Sequence, residues 1–241
     1  MLNPIEEAKF AELKAMCREL KVPAPPEIMI GLKVHDKNGI LTFDDIQRGH
    51  SWNRNFYNYL FALITACKST GENDFGAGKM TGRRSDGVTN VYGTANVCAQ
   101  TYFSTALSVH IVNLSTTNIP GIAIGTDDTA FSAEQSKLVV LIANGTGTGQ
   151  MSHVPMAYVL PTYAAKTWKT TYSRIFNNNS GGSITVKETG LYSGNYTYLF
   201  DGNAGWNYLF ERSVLAPTVA VANGAQLTVT YEISMDFSAI D

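Results

Sequence analysis

The stretch RIFNNNSGGSITVKETGLY, residues 174–192, decides how the rest of the chain is read. Six small or polar residues, NNNSGG, separate two runs rich in strand-forming residues. A glycine loop that cradles phosphate needs a lysine and a following helix, and neither is present. The flanks alternate instead, with Ile184 and Val186 on one face and Thr185 and Lys187 on the other, which is the pattern of a half-buried strand. Asn and Gly supply the positive φ that a tight turn requires. The stretch reads as a hairpin.

Segments of the same texture surround it. SVHIVNL (108–114), GIAIGT (121–126), KLVVLIA (137–143), AYVLPTY (157–163), KTWKTTYSRIF (166–176), WNYLFERSVL (206–215) and QLTVTYEISMDF (226–237) follow one another with turns between. Many strands without intervening helices predict a mainly β fold, an antiparallel β-sandwich or jelly-roll-like domain. Residues 4–21 differ. Pro4 suits a first helical turn, Glu6 and Glu7 favour its positive end, and Ile5, Phe10, Leu13, Met16, Cys17 and Leu20 recur at helical spacing. Three prolines in VPAPPEI (22–28) then impose an extended connector. This predicts an N-terminal helix and proline-rich arm over 1–28, able to dock on another molecule or to fold back on its own domain, and a β domain over 29–241. Within that domain Trp52, Phe56, Tyr59, Leu60, Leu63, Ile64 and Cys67 predict a helix at about 52–67. Glycine-rich residues 69–90 read as a long loop.

Composition narrows the function. Charged residues make up only 16% of the 241 and the net charge is −2, so no basic field draws the chain to nucleic acid. No run of about 18 apolar residues predicts a membrane span. Three scattered cysteines form neither a disulfide framework nor a zinc set. The four histidines, His35, His50, His110 and His153, stand at no metal-ligand spacing, and no nucleophile elbow occurs. NGTGTGQ (144–150) lacks the lysine of a phosphate loop, and Asp127 and Asp128 read as a turn rather than a calcium site. No catalytic residue, cofactor or metal is expected. Tyr196, Tyr198, Trp206 and Tyr208 flank an Asn/Gly-rich segment of the kind that contacts sugars or proteins.

RIFNNNSGGSITVKETGLY and ERSVLAPTVAVANGAQLTVTYEISMDF (211–237) resemble the sequences of tailed-bacteriophage structural proteins, as do GTDDTAFSAEQSKLVVLIANGTGTGQ (125–150) and the GHSWNRNFYN segment. The extreme N-terminus lies outside the resemblance. It implies a virion component of head, neck, tail or fibre without an active site, made in the host bacterial cytoplasm. Its expected partners are copies of itself and neighbouring virion proteins, with no nucleic acid and no membrane. Phe10, Leu13, Trp52, Phe56 and Tyr59 are the candidate interface residues. The alternative is a carbohydrate- or receptor-binding module of a tail or fibre, contacting a host surface glycan through Tyr196, Tyr198, Trp206 and Tyr208.

Overall fold

The computed structural model describes residues 2–49, 52–58, 81–87, 89–91, 109–110, 117–119, 121–195 and 206–238. It is mainly β, with antiparallel sheets and few helices. Helix α1 spans Pro4–Glu19. The strands are β1 (Glu27–His35), β2 (Leu41–Arg48), β3 (Thr81–Arg83), β4 (Thr89–Val91), β5 (Val109–His110), β6 (Gly121–Gly125), β7 (Ser152–His153), β8 (Ala157–Ala164), β9 (Thr167–Asn177), β10 (Ile184–Asn195), β11 (Trp206–Val221) and β12 (Gln226–Asp236). A helical segment also begins at residue 54; the part of the expected 52–67 helix beyond 58 lies outside the described residues.

One sheet runs in the order β2-β1-β12-β9, with β7 and β8 both on the far side of β9. The other is β11-β10, with β5 and β6 both on β10. Strands β3 and β4 form a small separate hairpin within the expected 69–90 loop. The two larger sheets share one core. Ile28, Ile30, Leu32 and Val34 of β1 and Leu227, Val229, Tyr231 and Ile233 of β12 join Ile184, Val186 and Leu191 of β10 and Phe210, Val219 and Val221 of β11. Alternation sends every second residue of β1 and β12 into this core.

The hairpin reading of 174–192 is corrected by the pairing. β9 pairs with β12, whereas β10 pairs with β11, so NNNSGG carries the chain from one sheet to the other. Buried Asn178 fixes the crossing. Its Nδ2 donates to Val221 O at 2.7 Å and Gly182 O at 2.8 Å, and its Oδ1 accepts from Ser180 N and Oγ. Gly181 supplies the left-handed residue at φ +87°.

One further reading changes. KLVVLIA forms no strand, because the N–H groups of Leu138, Val139 and Val140 donate to side chains of the sheet beneath: Tyr192 Oη at 2.7 Å, Glu188 Oε2 at 3.2 Å and Glu188 Oε1 at 3.0 Å. Residues 27–35 and 41–48 are strands, joined by a turn that begins at Asp36. Asp36 builds that turn by accepting from Asn38 N and Ile40 N, and these bonds hold its carboxyl below the usual range.

Candidate functional site

Helix α1 is seated by charge more than by apolar contact. Asn3 caps it, its Oδ1 accepting from Ile5 N at 3.0 Å. Of the predicted apolar stripe, only Cys17 is buried, with Phe10 and Leu13 half-buried, while Ile5, Met16 and Leu20 are exposed. The seat is Arg48, at the end of β2. Its Nε and Nη2 donate to the two carboxylate oxygens of Glu7 and its Nη1 to Glu27 Oε2, each at 2.9 Å. The guanidinium stands 3.9 Å from the Phe10 ring centroid, a cation–π contact. Lys14 closes the cluster on Glu27 at 2.5 Å. The hydrogen bonds from Arg48 hold the Glu7 carboxyl below its ordinary range.

Three polar centres lie inside the chain. On the outer face of the β10–β11 sheet, Arg212 Nε donates to Glu188 Oε2 at 2.6 Å, with both side chains fully buried. Arg212 Nη1 also donates to Thr129 O at 2.8 Å. Since Glu188 takes the amides of Val139 and Val140, this pair clamps the 126–143 segment onto the sheet. A second apolar cluster of Ala123, Leu138, Tyr192 and Leu209 lies beside it. Gly190 makes room for that cluster: a Cβ there would stand 2.8 Å from Leu209 Cδ1 and 2.9 Å from Leu138 Cδ2.

On the inner face of the same sheet lies Glu211. It accepts from Ser213 Oγ and, at 2.8 Å, from the Tyr231 hydroxyl, which also sits 3.2 Å from Thr189 Oγ1. Burial raises the Glu211 carboxyl to about 7, against the lowering effect of the Ser213 and Tyr231 hydrogen bonds. The third centre is Arg174 of β9. It donates to the carbonyls of Val154, Ile122, Asn118 and Thr117 at 3.0, 2.9, 3.2 and 2.6 Å, binding two loops to the core. Burial lowers its guanidinium to about 10. His153, edge-on to Phe176 at 4.9 Å, is pushed down to about 4 by burial and by the charge of Arg174. The Glu188 and Glu211 carboxylates and the Arg174 guanidinium are engaged with strands and loops of this chain, whereas Arg212 Nη2 makes no hydrogen bond among the described residues and stands 4.0 Å from Asp127 Oδ1.

The expected contact residues fall into separate environments. Trp52 is buried in the main core, stacked on half-buried Phe56 with ring centroids 3.9 Å apart. Around them, Asn53 Nδ2 donates to Leu209 O at 2.6 Å and Asn53 N to Phe210 O at 2.8 Å, so this segment runs along the edge of β11. Phe10 faces its own domain, its ring beneath the Arg48 guanidinium, and Leu13 is half-buried. Tyr59, Tyr196 and Tyr198 lie outside the described residues. Trp206 opens β11 opposite Asn195. Tyr208 is 3% exposed and packs in the core, so its ring is not at the surface.

Residues that sequence reasoning passed over include Arg48, Arg174, Glu188, Glu211 and Arg212. The signal for the last three was a charge within a strand whose same-face residues, two positions away on either side, are apolar or small.

Among the described residues no group of three or more His, Cys, Asp or Glu side chains could hold a metal. No family model, curated protein or solved structure matches the chain.

Proposed function

We propose that this chain is a non-enzymatic structural protein of a tailed-bacteriophage particle, which assembles with copies of itself and docks on neighbouring virion proteins. In this reading the two sheets form a β-sandwich of the jelly-roll kind, and α1 with its proline strap is an assembly arm. The observation that carries it is where large apolar side chains are exposed. They concentrate on α1 (Ile5, Met16, Leu20) and on the two outer strands of one sheet, with Ile46 on β2 and Tyr158, Val159, Leu160 and Tyr163 on β8. A chain whose own core is complete keeps such groups at the surface where other chains cover them. The ionic seat of α1 supports the arm, because it holds the helix to the sheet chiefly through one residue, Arg48, rather than through a continuous apolar face.

Peptide mapping of purified particles tests the reading: the chain is expected in intact virions, and its absence from them refutes it. Deleting residues 1–26, which stops short of β1, is expected to leave a folded β domain that assembles less well by light scattering. Unchanged assembly refutes the role of the arm.

A further inference from the structure

The sheet edges are finished in different ways. The edge of β11 is covered by the backbone and amide side chain of Asn53. β2 carries Asp44, Asp45 and Arg48, and Arg48 is covered by α1. β8 has neither device. Among the described residues it pairs with β9 alone, and all eight of its residues are exposed. None of them is charged. An uncovered, uncharged edge is a template for another strand.

The sequence of β8 says which strand fits. It reads Ala-Tyr-Val-Leu-Pro-Thr-Tyr-Ala. Reversed about the point between Leu160 and Pro161, it sets Ala157 against Ala164, Tyr158 against Tyr163 and Val159 against Thr162. An antiparallel pairing of β8 with its own copy across a twofold axis makes these matches. In a regular strand they would fail, because residues five apart point to opposite faces while opposed residues must share one. A bulge removes the conflict. Val159 pairs with Thr171 and Thr162 with Lys169, so Leu160 and Pro161 together oppose Thr170. The phase shifts by one residue. Tyr158, opposite Tyr172, and Tyr163, opposite Trp168, then share the face on which Tyr172 and Trp168 pack against the core. Val159 and Thr162 share the other face. Proline, which lacks an N–H to donate, sits inside the bulge, where a regular ladder is already interrupted.

We propose that β8 is the contact between two copies of this chain, paired antiparallel about a twofold axis at Leu160–Pro161, with Tyr158 of each copy opposite Tyr163 of the other. Tyr158, Val159, Leu160 and Tyr163 are 49, 60, 69 and 65% exposed. Covering them removes on the order of 500 Å² per copy and ~1,000 Å² in all, the lower limit for a specific interface. The dimer is therefore concentration-dependent. It is also closed, since the pairing uses the same edge of both copies and leaves none to propagate. Self-association belongs to the function proposed above; this contact rests on that reading only for its biological setting, and on the strand for its geometry.

Sedimentation velocity of the purified full chain over a range of concentrations tests it. The wild type is expected to reach twice its 26.2 kDa mass. The double variant Val159→Lys/Thr162→Lys places like charges opposite each other twice and is expected to raise the dimer Kd by about tenfold or more. Val159→Lys/Thr162→Glu places opposite charges there and is expected to keep the dimer. Leu160→Asp, which brings two carboxylates to the axis from a solvent-facing site, is a second disrupting variant should circular dichroism show the first to be misfolded. A wild type that stays monomeric refutes the contact, as does an assembly that both disrupting variants leave intact or a Lys/Glu variant no better than the Lys/Lys one. None of these refuting results bears on virion membership, which is read from particles.

Discussion

Glu211 offers the sharpest test of the packing described here. Its carboxyl is fully buried between the sheets and raised from an ordinary 4.5 to about 7, chiefly by burial. The folded chain therefore binds this proton more tightly than the unfolded chain does. Below about pH 4.5 both states are protonated and the site costs nothing. Between about 4.5 and 7 the unfolded state ionises first and stability falls; above 7 the loss is complete. Moving the carboxyl from 4.5 to about 7 corresponds to about 3 kcal/mol. Glu211→Gln keeps the shape and removes the ionisation. Its stability relative to wild type is expected to rise by that amount between pH 4.5 and 7.5 and then level off. Urea unfolding at a series of pH values, followed by tryptophan fluorescence, measures it. The difference between the two proteins is the quantity to follow, because His153 acts in the opposite sense. Its lowered value makes stability fall as pH drops from 6.5 towards 4, and this cancels in the difference. A difference that is flat with pH, or that favours the wild type more at pH 7.5 than at 4.5, refutes the reasoning.

Other outcomes follow from the same geometry. Arg212→Met leaves Glu188 buried without its cation and is expected to cost about 3–5 kcal/mol in urea unfolding, with a double-mutant cycle against Glu188→Gln strongly non-additive. Arg48→Ala removes the seat of α1; global stability is expected to change by no more than about 1–2 kcal/mol, while limited proteolysis within residues 20–26 accelerates severalfold. Gly181→Ala is expected to cost about 1 kcal/mol through backbone conformation alone, since a Cβ there meets nothing within 4 Å.

Much of the fold was legible because alternation is a local signal. It marks β9, β10, β11 and β12 in the sequence, since each buries every second residue for at least part of its length; β8, exposed throughout, was marked only by its strand-forming residues. It fails where the environment is not two-sided. β10 loses its alternation after Lys187, where a bulge and the clamped 126–143 segment bury both faces: Glu188, Thr189, Leu191, Tyr192 and Ser193 are all buried. KLVVLIA is rich in β-branched residues but makes only a single antiparallel bridge, to β6, because carboxylate and phenol oxygens take the amides of Leu138, Val139 and Val140. β1 carries the same alternation, with Ile28, Ile30, Leu32 and Val34 facing the core, so it too was legible in principle. The crossing at NNNSGG is invisible locally, because Asn and Gly make the same turn whether the strands they join pair with each other or part. The buried charges were the least legible: their partners lie 24 residues away for Glu188–Arg212 and 20 for Glu211–Tyr231.

The parting of β9 and β10 also bears on synthesis. Because neighbours in sequence separate, the sheet containing β1 is closed by β12, which lies between β1 and β9. A ribosome delivers β1 and β2 early and β12 some 200 residues after β1, as the register of Ile28 against Ile233 shows. Until then Ile28, Ile30, Leu32 and Val34 have half of their lining missing, and a nascent or truncated chain presents them to chaperones and proteases. A chain released before β12 lacks the strand that joins β1 to β9, so its larger sheet is left in two parts.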